Sequence, residues 1–216
     1  MNDETIAASC RTLASATRLA ILQHLLKESE ATPTELSHVL EIGLGTIVGH
    51  LQLLRRDGFV TVTSRDARRQ YAVKKRHFES EFESALCGWA IAVLTAPENK
   101  SVLTTGMEER LELPRQHAEI CAAVTIFAHP RRIALIRFLE ANPASFISQM
   151  VHGTGVPTTT VIYHCRKLLR RKVIGMSSGK GPACYGMTSS ELQESQKALY
   201  QIVSNHWNAS AEPAQD

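Results

Sequence analysis

The chain repeats itself at a constant spacing. Leu13-Ala14-Ser15-Ala16-Thr17-Arg18-Leu19-Ala20-Ile21-Leu22 returns as Phe127-Ala128-His129-Pro130-Arg131-Arg132-Ile133-Ala134-Leu135-Ile136, a step of 114 residues. The same step, without a gap, relates Thr46 to Thr160, His50 to His164, Leu54 to Leu168, Arg56 to Arg170, Ser64 to Ser178 and Tyr71 to Tyr185. Solenoid repeats run to roughly 20–50 residues, whereas a unit this long approaches the roughly 100–150 residues of a self-sufficient domain. One small fold used twice is therefore expected. The reading is a domain over residues 1–97, a linker over 98–112 suggested by the linker-like composition of Pro97-Glu98-Asn99-Lys100-Ser101 through Gly106, a second domain over 113–208 and a disordered tail over 209–216.

With 44% hydrophobic and 21% charged residues in a chain of 216, there is material for two cores. The formal charge of +3 is too small to mark a nucleic-acid binder by bulk electrostatics, so any footprint must be a local cluster. The acidic start Met1-Asn2-Asp3-Glu4-Thr5 lacks a secretory signal's basic end, and the apolar run Ala85 to Ala96 is too short for a bilayer span. A cytoplasmic protein with no membrane partner is expected.

Periodicity gives the order of elements. Leu19, Leu22, Leu25 and Leu26 mark a helix from Ala16 to Lys27, and Thr32 caps a short helix that opens on Pro33. Gly43 and Gly45 break the chain before a second helix, Thr46 to Arg56, whose Ile47, Leu51 and Leu54 form a buried stripe; Gly58 ends it. Strands at Phe59–Thr63 and Gln70–Val73 flank a polar turn, Ser64–Arg69. A helix from His77 to Leu94 then carries an apolar ridge of Phe78, Phe82, Leu86, Trp89 and Val93 that needs a partner. The second half follows with a leading helix inside Glu108–Phe127, helices at Pro130–Glu140, Phe146–His152 and Thr158–Arg171, strands at Val173–Ser177 and Ala183–Met187, and a last helix, Ser189–His206. The expected class is mainly α with small β-hairpin wings, as two tandem winged helix-turn-helix domains.

Leu13-Ala14-x-x-Thr17-Arg18-Leu19-x-Ile21-Leu22, then Thr46-Ile47-x-x-His50-Leu51-x-x-Leu54-x-x-x-Gly58-Phe59-Val60, then a wing ending in Tyr71, resemble an ArsR-type bacterial regulator domain. The resemblance covers Ala8 to Leu94 and, more weakly, Ile120 to Val203. It implies that the second helix of the motif enters the DNA major groove, that the wing approaches the backbone, and that flanking helices pair. Relatives often carry Ser-x-His or Ser-Arg-His on the reading helix, where this chain has Val48-Gly49-His50 and Ile162-Tyr163-His164. Base readout needs placed donors and acceptors. The first helix offers Thr46, His50 and Gln52, and the second offers Thr158, Thr159, Tyr163, His164, Arg166 and Lys167. Specificity is expected mainly in the second unit.

Arg55, Arg56, Arg65, Arg68 and Arg69 cluster around the first reading helix and wing, and Arg166, Lys167, Arg170, Arg171, Lys172 and Lys180 around the second. Recurrence in the same place favours a phosphate surface over a merely solvated face.

Many ArsR relatives sense metals through Cys-x-Cys before the turn or through Asp and His ligands on the last helix. Here Thr34-Glu35-Leu36-Ser37-His38-Val39 stands in the first place and His77, Glu79, Glu81 and Glu83 in the second, so no metal is expected; a cation at that carboxylate-rich helix start is the minor alternative. Five cysteines form no CxxC pair. Cys165 belongs to the core, and a Cys10–Cys87 switch competes with two buried thiols. No Gly-rich phosphate loop, nucleophile elbow or HExxH sequence supports catalysis, so neither an enzyme nor a cofactor is expected. The expected function is a sequence-specific transcription regulator that binds double-stranded DNA through two helices per chain. Its halves pair intramolecularly on an asymmetric site, with a homodimer as a further level. The rival is a protein-interaction module, an anti-activator or adaptor, with weak or no DNA binding.

Overall fold

The computed structural model describes residues 2–65, 68–97, 102–103, 112–177, 182–188 and 192–208. In the first half, α1 (Asp3–Leu13), α2 (Ala16–Glu28), α3 (Pro33–Leu40) and α4 (Leu44–Arg56) precede β1 (Val60–Arg65), β2 (Arg68–Val73) and α5 (Glu81–Thr95). In the second, α6 (Arg115–Phe127), α7 (Pro130–Ala141), α8 (Ile147–Thr154) and α9 (Thr158–Arg170) precede a hairpin of two strands and α10 (Glu194–Asn208). The fold is mainly α with small antiparallel hairpins, and the order of elements is the same twice. Val102–Leu103 in the expected linker and Glu112–Leu113 at its boundary with the second domain form a further short antiparallel pair, β3 and β4, so the second half's hairpin is β5 (Ile174–Ser177) with β6 (Cys184–Met187).

Local chemistry sets the helix ends. Ser15 caps α2 by accepting from the Arg18 N–H, and His129 caps α7 by accepting from Arg131. Thr32 and Glu35 form a reciprocal capping box at α3, with Pro33 in the first turn. The last helix of the first half starts at Glu81, not at the expected His77. His77 has φ of 57°, outside helical geometry, and Ser80 supplies the cap by accepting from Glu83. The turns before α4 and α9 both use left-handed backbone, at Glu41 (φ 54°) and at Gly155 (φ 66°). After those helices the left-handed residues are Gly58 (φ 76°) and Lys172 (φ 56°). These positions match at the 114-residue step. At these turns the two halves therefore share backbone geometry even where residue types differ.

The first hairpin is longer than its sequence pattern. Its register runs from Val60 opposite Val73 to Arg65 opposite Arg68, which places Arg68 and Arg69 on a strand and not in the polar turn. Ala31 bridges to Tyr71 and Ser145 to Tyr185, again one repeat step apart. Residues 209–216, expected to form a disordered tail, lie outside the described residues.

By contacts, the chain divides into two compact units, one of Ser9–Cys121 and one of Ala122–Asp216 with Met1–Ala8. The first buries Leu19, Ile21, Leu22 and Leu25 of α2, Ile47, Leu51 and Leu54 of α4, and Phe82 and Leu86 of α5. The second buries Ile133, Ile136 and Leu139 of α7, Val161, Cys165 and Leu168 of α9, and Leu199, Val203 and Trp207 of α10. Each such side chain contributes about 1.5–3 kcal/mol by leaving water. The expected ridge on α5 is covered at Phe82, Leu86 and Trp89.

Each unit is completed by the opening turns of the other half's leading helix. In the first, His117 of α6 and Gln23 of α2 form a hydrogen bond of 3.0 Å. In the second, Arg137 of α7 donates to Asp3 of α1. Asp3 answers to His117, and Gln23 to Arg137, at the repeat step.

Candidate nucleic-acid interface

On α4, the stripe Ile47, Leu51 and Leu54 turns inward, and the 3.6-residue period leaves Leu44, Gly45, Thr46, Gly49, Gln52, Arg55 and Arg56 exposed. On α9, Val161, Cys165 and Leu168 turn inward, leaving Thr158, Thr159, Ile162, Tyr163, Arg166 and Arg170 exposed and Lys167 half-buried. Of the expected polar set, Thr46 and Gln52 on α4 and Thr158, Thr159, Tyr163 and Arg166 on α9 are exposed, His50 and Lys167 are half-buried, and one residue is a buried exception. Neither helix has a side-chain cap, because Gly43 and Pro157 stand at the N-cap positions.

His164 is that exception. It is 3% exposed and lies on the inner face of α9, with its ring centroid 4.4 Å from that of His129 and 5.2 Å from that of Tyr163. Its Nδ1 is buried without a hydrogen-bond partner. Position 164 lies three residues after Val161, on the apolar stripe, so periodicity outweighs polarity here. Burial first, then the positive surroundings of His129, Arg132, Arg131 and Lys167, lowers its pKa from the ordinary 6.5 to about 4. The unfolded chain therefore takes up a proton near pH 6.5 that the folded state refuses until about pH 4. Stability from this group is fully present above 6.5 and is lost as pH falls through that window, by up to about 3 kcal/mol. Urea titrations at pH 7 and pH 4.5 are expected to show this loss in the wild type, and a smaller one in His164→Leu.

His50 is half-buried, with Nδ1 3.5 Å from Nη1 of Arg18, and burial followed by the Arg18 charge lowers its pKa. Arg18 also donates to the carbonyls of Thr12 and Arg11 at the end of α1. One repeat step on, Arg132 donates to the carbonyl of Thr125. A cation at the carbonyl end of each leading helix favours the local dipole and ties that helix to the motif. Sequence reasoning gave Arg18 no role beyond the family pattern; its pairing with Arg132 at the repeat step was the available signal.

The basic residues are not equivalent. Arg56 is held by Asp57, Nε to Oδ1 at 2.7 Å and Nη2 to Oδ2 at 3.1 Å, while Thr12 donates to the same carboxylate. Arg55, Arg68 and Arg69 are exposed around α4 and the first hairpin, and Arg166 and Arg170 on α9. The backbone of Arg65 continues β1, but its side chain lies outside the described residues, as does Lys180.

Among the described residues no group of three His, Cys, Asp or Glu side chains converges to hold a metal ion. At the carboxylate-rich start of α5, Glu83 accepts from the Glu79 N–H. Cys10 and Cys87 are both buried, and no disulfide joins them. Burial raises the Cys87 pKa to about 11, and its Sγ donates to the Lys74 carbonyl. No helix of the described residues is long and apolar enough to cross a membrane.

A family model described as a helix-turn-helix domain matches residues 13–63, the stretch from the end of α1 into β1. A comparison with curated proteins finds no match. Among solved structures, the crystal structure of an IclR transcriptional regulator from Alicyclobacillus acidocaldarius is similar at 13% identity over 93% of this chain and 94% of that one, with a TM-score of 0.23. A likeness that remote bears on neither fold nor function. The sequence match and the observed order of elements agree that the first unit carries a helix-turn-helix domain.

Proposed function

We propose that this chain is a transcription regulator of the ArsR kind that binds duplex DNA through α4 and α9, its two halves acting as one pseudodimer on an asymmetric site. The observation that carries this reading is the outward face of each motif's second helix, with arginines beside it: Arg55, Arg68 and Arg69 in one unit, Arg166 and Arg170 in the other. Guanidinium groups so placed neutralise phosphates and release counterions, while the helix faces offer groups to base edges. Reciprocal completion of the units, Gln23 with His117 and Arg137 with Asp3, supports the pairing of halves within one chain. A two-fold reader spans half-sites about 34 Å apart. Because covalent linkage makes the second contact intramolecular, it raises that unit's effective concentration to roughly the millimolar range.

Selection from a random duplex pool with the purified chain tests the proposal. The expected product is a site of two unlike halves. A strict palindrome contradicts the unequal pseudodimer, and no enrichment contradicts sequence-specific binding.

A second reading, a protein-interaction module, is favoured by Val39 and Leu44, which are 55% and 46% exposed at the turn of the first motif. It predicts no duplex binding even at low salt.

A further inference from the structure

The outward faces of α4 and α9 differ most sharply at one pair of positions related by the repeat step, Gly49 and Tyr163. Tyr163 is 56% exposed, on a helix whose inner face is packed by Val161, Cys165 and Leu168. It is nevertheless held. The Lys167 Nζ lies 5.4 Å from its ring centroid one turn along, and the His164 ring meets it edge-on at 5.2 Å. His164 itself is buried against His129. The exposed ring therefore stands on a packed base, with a cation over its face.

Gly49 is the converse. It is exposed in the middle of α4, and a Cβ added there would meet no atom within 4 Å. Glycine inside a helix costs roughly 0.5–1 kcal/mol relative to alanine. Neither packing nor backbone geometry demands it, since Gly49 has no positive φ. What its absence of side chain does provide is a bare helix surface.

We propose that Tyr163 is the specificity-determining residue of the C-terminal reading helix, its ring contacting a thymine methyl group in the major groove, and that Gly49 leaves the matching position of the other half-site unread. This rests on the DNA-binding reading above. Thymine is the base whose major-groove edge carries a methyl group, and apolar and aromatic side chains recognise it by contact, not by hydrogen bonding. The hydroxyl is then dispensable and the ring is not. A mismatched base pair in a specific site lowers affinity by roughly 5- to 150-fold.

The test compares binding sites selected from a random duplex pool by the wild type, Tyr163→Phe, Tyr163→Ala and Gly49→Tyr. Both positions are exposed, and circular dichroism confirms that each variant is folded before selection. One thymine position in one half-site is expected to keep its enrichment with Tyr163→Phe and to lose it, by about fivefold or more, with Tyr163→Ala. Gly49→Tyr is expected to install a thymine preference in the other half-site, a gain that a merely structural role would not produce. If Tyr163→Ala binds duplex DNA and selects the wild-type site unchanged, the proposal is overturned while the DNA-binding reading stands. If the folded wild type binds no duplex at low salt, both fall together.

Discussion

Replacing Trp207 with alanine is expected to destabilise the C-terminal unit by about 3–5 kcal/mol, the usual cost of deleting a buried large aromatic. Trp207 is 1% exposed on α10, and its ring lies 6.3 Å from that of Phe127 and 6.0 Å from that of Tyr200, both at edge-on angles. The Arg137 guanidinium sits 5.5 Å from its centroid and donates to Asp3. The ring thus packs α10 against α6 and sets a platform for the cation that binds the start of α1. Its Nε1 has no hydrogen-bond partner, and a buried orphan donor costs about 1–3 kcal/mol. Phenylalanine removes that donor while keeping most of the apolar surface. Trp207→Phe is accordingly expected to cost less than half as much as Trp207→Ala. Urea denaturation followed by circular dichroism checks both values. The chain's other tryptophan, Trp89, lies in the other unit. Its fluorescence in Trp207→Ala therefore reports whether the N-terminal unit remains folded.

Removing two wing charges, Arg68→Ala with Arg69→Ala, is expected to weaken duplex binding without unfolding the protein. Both side chains are exposed, and the register sets Arg68 opposite Arg65 and Arg69 opposite Ser64. Each lost phosphate contact lowers the slope of log affinity against log salt by about 0.9. The pair should therefore reduce the slope by about 2, and lower affinity by roughly tenfold per contact at about 0.1 M salt. Fluorescence anisotropy across a salt series measures both quantities. The loss should be uniform across sequences, because phosphate contacts position the protein and do not read bases. Arg56→Ala is the contrasting variant. Its guanidinium is already paired with the Asp57 carboxylate, so less of its charge is available to a phosphate and a smaller change in slope is expected from it than from either wing arginine.

Much of the architecture was legible in the sequence because it is written in periodicity and caps. Ile47, Leu51 and Leu54 set the inner face of α4, while Thr32, Pro33 and Glu35 mark the start of α3 in residue types alone. Helix onset at α5 was less legible. The apolar ridge runs back through Phe78, but a left-handed His77 and the Ser80 cap delay the helix. His164 was misleading for another reason, since its polar side chain suggests an outward role while its place on the Val161–Leu168 stripe buries it. Least legible was the reciprocal completion of the units. Gln23 with His117 and Arg137 with Asp3 occupy matching positions, but one pair joins an amide to an imidazole where the other joins a guanidinium to a carboxylate. Residue identity at the repeat step therefore conceals what geometry preserves.

The most direct test of the central claim is the affinity of the wild-type chain for duplex DNA as a function of salt. The account predicts binding that weakens steeply and linearly on a log–log plot, with a slope of about −4 or steeper, corresponding to at least four or five phosphates neutralised by the exposed arginines of the two units. Undetectable duplex binding at low salt, or an affinity indifferent to salt, would contradict it.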